Sequence, residues 1–226
     1  MGAQVQLLSL PDQIVVRLTD EILKGVYVPG QRLKEQDLAL KMGTSRASLR
    51  EAFRVLERNG LIEIFPWRGV RVVEPTRDEI KELFEARADM FGLCARHLAL
   101  TAVQDQLVKI GADINELIRM TNEGCDEREY KSLTNQISTQ MYGLIQNRYT
   151  REFIENLRQK MFWHYCYMGI STYANRQHSN NYWHELGKAL LERDAQSAEA
   201  AAHRIMAASK DFALRLLDEE GAAVIS

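Results

Sequence analysis

The chain has 226 residues, 46% of them hydrophobic and 27% charged, with a net charge of −2. That is enough for one large domain or two modest ones whose core needs neither disulfides nor metal. Cys94, Cys125 and Cys166 are scattered and form no CxxC, which points to a reducing compartment and away from zinc-ribbon or redox chemistry. The opening carries no basic leader, and no run of about 18 apolar residues occurs, so a cytoplasmic protein with no membrane span is expected.

The small net charge hides a split. Residues 1–75 hold 11 Lys+Arg against 9 Asp+Glu, and residues 76–226 hold 18 against 22. Between Gly43 and Val73 there are six arginines, no lysine and three glutamates. A local basic patch on a near-neutral body suits a nucleic-acid reader, although surfaces of other proteins carry such patches too.

In chain order, Leu10 to Lys24 reads as a first helix, with Ile14, Leu18, Ile22 and Leu23 at helical spacing and Gly25 as its stop. VYVPGQRL is a turn centred on Pro29-Gly30. Lys34 to Met42 forms a short second helix with Leu38, Ala39 and Met42 inward, ended by Gly43. Thr44-Ser45 then offers an N-cap for a third helix, Arg46 to Asn59, closed by Asn59-Gly60. The runs Leu61–Phe65 and Val70–Val73, separated by PWRG, give a hairpin. Three helices and a hairpin within about 75 residues describe a winged helix-turn-helix.

The third helix carries the candidate reading face. Leu49, Ala52, Phe53 and Leu56 fall at i, i+3, i+4 and i+7, one buried stripe. Arg46, Arg50 and Arg54 step by four along a neighbouring face. Arg46 and Arg50 lie in the first two turns, the part of a recognition helix that enters the major groove. Arginine suits either guanine O6/N7 or phosphate. The Thr44 and Ser45 hydroxyls at the helix start are candidates to hold a phosphate. Trp67-Arg68-Gly69 forms the wing tip, with Arg68 near a minor groove and Gly69 allowing close backbone approach.

Pro75-Thr76 marks a boundary, giving two expected domains, 1–75 and 76–226. Beyond it no proline appears and every segment has helical periodicity: Ile80, Leu83, Phe84, Phe91 and Cys94; then Leu107, Ile110, Ile114 and Leu117; then Tyr130, Leu133, Ile137 and Met141; and so on to Leu216. The expected fold is mainly α, a winged helix-turn-helix followed by an all-α bundle of six to seven helices.

The run from Pro29 to Pro75 resembles the DNA-binding domain of the GntR family of bacterial regulators. Pro29, Gly30, Leu33, Glu35, Leu38 and Ala39 match its opening; Ser45, Arg46, Leu49, Arg50, Glu51, Ala52, Phe53, Leu56, Gly60 and Leu61 match its central motif; Arg68, Gly69 and Val72 match its wing. The resemblance implies DNA contacts from Ser45, Arg46 and Arg50, with Gln36 where the family often has arginine. An all-helical half after such a domain resembles the FadR-type subgroup with an effector-binding FCD-like domain. Glu85 and Arg87 match the opening of that domain, whereas Met90-Phe91 stand where Leu-Glu is usual.

Many members of that subgroup hold a divalent metal through an Asp and a His four apart and two later His. In this chain those positions fall near Thr134 and Ser138, on His184 and on Met206, with His203 one turn earlier. The site is degenerate, and His184 and His203 are the residual candidates for a metal. The residues left to bind a polar ligand, a small carboxylate above all, are Arg87, Thr134, Ser138, His164 and His184. Arg87 falls on an apolar stripe, so its guanidinium needs either an internal carboxylate such as Glu185 or an effector carboxylate. His164 lies near the stripe of Leu157, Met161, Tyr165 and Met168, where a hydrogen-bonded core histidine and a pocket residue both fit.

The leading expectation is therefore a ligand-responsive regulator, a homodimer on pseudo-palindromic operator DNA. A DNA-binding protein without an effector is the second reading. An enzyme built on His164, His184 and His203 is the third, and no nucleophile elbow, phosphate loop or HExxH helix supports it.

Overall fold

The computed structural model describes residues 8–74, 76–159 and 169–225. His164, Cys166, Trp163, Tyr165 and Tyr167 lie outside the described residues.

Helix α1 spans Leu10–Leu23. Ser9 caps it by accepting from the Asp12 amide, and Pro11 in its first turn gives up an N–H that has no helical partner anyway. Its buried side chains, Ile14, Leu18 and Ile22, recur every fourth residue and pack on α3 (Arg46–Arg58). Between them stands α2 (Glu35–Met42), which ends at Gly43 with φ 62°, a left-handed turn that glycine enters without a Cβ penalty. That turn redirects the chain into α3.

The hairpin is β2 (Ile62–Phe65) and β3 (Gly69–Val72). A strand absent from the sequence reading joins it. Arg32–Leu33, expected within a turn, form β1 and pair antiparallel with β3, giving the order β1-β3-β2. Leu33, Ile62, Val70 and Val72 turn inward and complete a core with Leu38, Leu49, Phe53 and Leu56.

The remaining helices are α4 (Arg77–Thr101), α5 (Gln104–Asn122), α6 (Glu127–Gly143), α7 (Arg148–Gln159), α8 (Tyr173–Leu191) and α9 (Ala195–Ile225). Six helices among the described residues lie within the expected six to seven. Reciprocal capping boxes start α4 (Thr76 with Glu79) and α6 (Asp126 with Glu129). Helix α4 packs mainly on α9, and α8 packs on both α9 and α5. The core centres on Phe91, whose ring meets Tyr142 and Trp183 edge-on at 6.1 and 6.0 Å. Leu98, Leu107, Ile114, Tyr130, Ile137, Met141 and Leu186 surround it. The contacts divide these elements into two compact units, α1 to β3 and α4 to α9. Among the described residues, no helix is long and apolar enough to cross a membrane.

Candidate nucleic-acid interface and sensing site

Helix α3 separates its faces as its sequence dictates. Leu49, Ala52, Phe53 and Leu56 are all but inaccessible to solvent, whereas Arg46, Arg50 and Arg54 are exposed. Ser45 caps the helix, its Oγ accepting from the Ser48 amide at 3.1 Å. Arg46 and Arg50 follow this cap in the first two turns, and Arg54 lies one turn further on. Arg50 is held from the side: its Nε lies 2.9 Å from Oε1 of Glu35 at the start of α2, an ion pair by distance rather than an aligned hydrogen bond.

Gln36 is exposed on α2. Thr44 sits in the α2–α3 turn, its amide donating to the Ala39 carbonyl and its Oγ1 shielded from solvent with no hydrogen-bond partner among the described residues.

In the wing, Arg68 is exposed and Gly69 half-buried with φ 93°. Trp67 has φ 66°, a left-handed conformation that is unfavourable by about 1–2 kcal/mol for a residue with a Cβ. Its side chain is fully exposed, at 104%.

In the helical unit Thr134 and Ser138 are half-buried on α6. The Thr134 hydroxyl donates to the carbonyls of Tyr130 and Lys131, and the Ser138 hydroxyl to that of Thr134. Both are engaged within their own helix. His184 is exposed, one residue past the buried Trp183. His203 is half-buried, its ring against Gly92 of α4, and Met206 is buried. Two hydroxyls already donating to α6, an outward histidine and a thioether do not make a donor set for a divalent ion. Among the described residues no group of three His, Cys, Asp or Glu side chains converges as metal ligands would.

Arg87 is the exception. It is half-buried, with the Phe84 ring 5.3 Å from its guanidinium carbon. Its Nη1 is shielded from solvent and has no hydrogen-bond acceptor among the described residues. Glu185, the internal partner considered from sequence, pairs with Arg204 instead.

A second guanidinium escaped the sequence reading. Arg176 is buried, at 6% exposure, and donates from Nη1 to the carbonyls of Ile170 (3.0 Å) and Ser171 (2.8 Å) and from Nη2 to that of Cys125 (3.3 Å). It ties the start of α8 to the α5–α6 loop. Its carbonyl partners are backbone atoms, so no acidic residue in the sequence announces it. Burial pushes the phenol of neighbouring Tyr130 upward and the Cys94 thiol up to about 12.

Two family models match these two units. Residues 10–72 match the gntR family of bacterial regulatory proteins, and residues 82–208 match the FCD domain. The chain belongs to the GntR family, in its FCD-bearing branch. An HTH-type transcriptional regulator of Bacillus subtilis, YdhC, is 23% identical over 86% of this chain and 85% of its own. The galactonate operon transcriptional repressor of Escherichia coli is 31% identical over 49% of this chain and 57% of that repressor. Among solved structures, a putative GntR regulator from Rhodococcus superposes with a TM-score of 0.68 at 19% identity, covering 92% of this chain and 98% of that one. E. coli McbR/YncC gives 0.65 at 22% identity, covering 88% and 94%. Both structures share the fold. This GntR-family chain is a transcriptional regulator, and its relatives are regulators rather than enzymes.

Proposed function

We propose that this regulator binds pseudo-palindromic operator DNA as a homodimer and that a small carboxylate in the helical unit, residues 76–226, controls its affinity. The observation that carries the DNA half is the division of α3, with four apolar side chains sealed inside and three arginines presented outward. Arg46 and Arg50 read base edges, Arg54 and Ser45 meet phosphate, and Gln36, Arg68 and Gly69 flank them. Such a protein works in the cytoplasm, beside the chromosome. Leu93 and Leu100, seven residues apart on one exposed face of α4, supply apolar surface that a second copy covers.

The unsatisfied Nη1 of Arg87 supports the sensing half. A guanidinium N–H removed from water without an acceptor is unfavourable, and a carboxylate satisfies it with a charge-assisted bond. Effector binding then shifts the population of arrangements that grip DNA.

Duplexes recovered from a random-sequence library by repeated binding test the first half. Arg46→Ala abolishes binding by fluorescence anisotropy while the melting temperature stays unchanged; undiminished binding refutes the recognition-helix assignment. A thermal-shift panel of small carboxylates, headed by sugar acids such as galactonate because of the galactonate relative, tests the second. A stabilising acid loses its effect in Arg87→Ala. An unchanged dose response removes Arg87 from the site, and no shift with any acid favours a regulator without an effector. Sedimentation of the purified chain reads the homodimer directly.

A further inference from the structure

The wing carries an aromatic residue that the helix-turn-helix does not need for folding. Phe65 and Gly69 are the last register pair of the hairpin, so Pro66, Trp67 and Arg68 form its loop. The Arg68 amide donates to the Phe65 carbonyl at 3.1 Å, closing a four-residue turn with Pro66 second and Trp67 third. A positive φ at the third position of such a turn is where glycine or asparagine is at ease. Tryptophan there holds a strained backbone, and its fully exposed indole makes up for none of it. In the free protein, both the strain and the solvated ring are unfavourable.

The surroundings indicate the chemistry of a partner. Arg68, the next residue in the chain, is exposed. Arg32 of β1 and Arg71 of β3 stand directly opposite each other in the register, and both are exposed. Like charges facing across strands repel. The Arg32 guanidinium also leans over Gly69, 3.4 Å from where a Cβ would begin. Glu63, opposite Arg71 on β2, adds a carboxylate next to them. An exposed apolar ring at the tip of the hairpin, with Arg68 next to it in the chain and exposed Arg32 and Arg71 further along the same sheet, fits a polyanion with a narrow apolar slot, which describes the minor groove of duplex DNA. Its two phosphate rims suit the arginines, and its sugars and base edges suit the indole.

We propose that Trp67 is a DNA-contacting residue, an aromatic wedge that the wing presses into the minor groove, selecting A·T pairs at an easily unstacked step. The inference rests on the DNA-binding reading above and adds a specificity determinant to it. The indole N–H is a donor and meets acceptors on A·T pairs, adenine N3 and thymine O2. The guanine amino group fills the same space and is itself a donor, so G·C pairs are rejected. Pyrimidine–purine steps such as TA unstack most readily, so selectivity extends to positions where no side chain forms a base-specific hydrogen bond.

The test uses the full chain and the library-selected duplex. Trp67→Gly suits the turn's backbone and keeps the melting temperature at or above that of the wild type. It is expected to lower duplex affinity about tenfold or more. Replacing the A·T pairs under the wing with G·C weakens wild-type binding to a similar degree and leaves Trp67→Gly unaffected. Replacing them with inosine·C, which lacks the amino group, restores wild-type binding. Undiminished affinity of Trp67→Gly, with Arg46→Ala abolishing binding, overturns the wedge and leaves the DNA reading standing. Undiminished affinity together with a changed sedimentation coefficient assigns Trp67 to a protein contact and likewise overturns it. If no duplex is recovered, or Arg46→Ala binds normally, the reading beneath it fails and the wedge falls with it.

Discussion

The imidazole of His203 in α9 occupies the space where a side chain at position 92 of α4 would begin: a Cβ on Gly92 would overlap its Cδ2 and Nε2. Glycine in the interior of a 25-residue helix is unfavourable by about 1 kcal/mol relative to alanine, so this position trades helix propensity for a close approach.

That relationship predicts a change of sign. Gly92→Ala destabilises the protein by about 1–3 kcal/mol, because the ring must move within a packed crossing. In a His203→Ala background the same substitution stabilises by up to about 1 kcal/mol, since only the propensity gain remains. Denaturant melts of the four proteins of this double-mutant cycle measure the coupling. Equal effects in the two backgrounds would remove His203 from the account.

The Glu35–Arg50 pair makes a prediction in which simple electrostatics gives the wrong direction. Removing a carboxylate beside a DNA-reading face should strengthen attraction to phosphate. If Glu35 instead holds the Arg50 stem in place, Glu35→Ala weakens binding of the selected duplex by about tenfold, the scale of one well-placed base contact. Anisotropy titrations at a single salt concentration decide the sign.

Thr76 and Glu79 predict a pH dependence. Hydrogen bonds from the Thr76 amide and hydroxyl hold the Glu79 carboxyl below its ordinary value of 4.5. A depressed carboxylate contributes stability above its unfolded-state value, and this is lost as pH falls through the lower folded one. Wild type therefore melts above Glu79→Gln at neutral pH, by a small margin because the site is exposed and screened. The margin closes as pH is lowered from 4.5 into the acid range. Thr76→Ala, which removes the cap itself, loses about 1 kcal/mol. Thermal melts at several pH values test both, and a margin independent of pH would remove the charge from the argument.

What could be read from the chain alone follows the range of the interactions. The recognition helix was legible because its stripe, its cap and its arginines are all local. Arg87 was legible as a charge on an apolar stripe. Strand β1 was not, because two residues become a strand only when Arg71 and Val70, nearly forty positions on, pair with them. The Thr134 and Ser138 hydroxyls turn back to carbonyls of their own helix, a local choice that matching to a family's metal positions does not consider. His184 follows Trp183, and one residue on a helix is about 100° of rotation, enough to move a side chain from core to water. Arg176 depends on a carbonyl 51 residues away.

The facing Arg32 and Arg71 have a practical corollary for anyone handling this protein. A face that repels itself will gather whatever multivalent anion the buffer supplies, so phosphate and sulfate should stiffen the first unit and compete for the same ground as a nucleic acid. Affinities measured in phosphate will understate the grip, and a heparin column should retain the chain despite its slightly acidic isoelectric point.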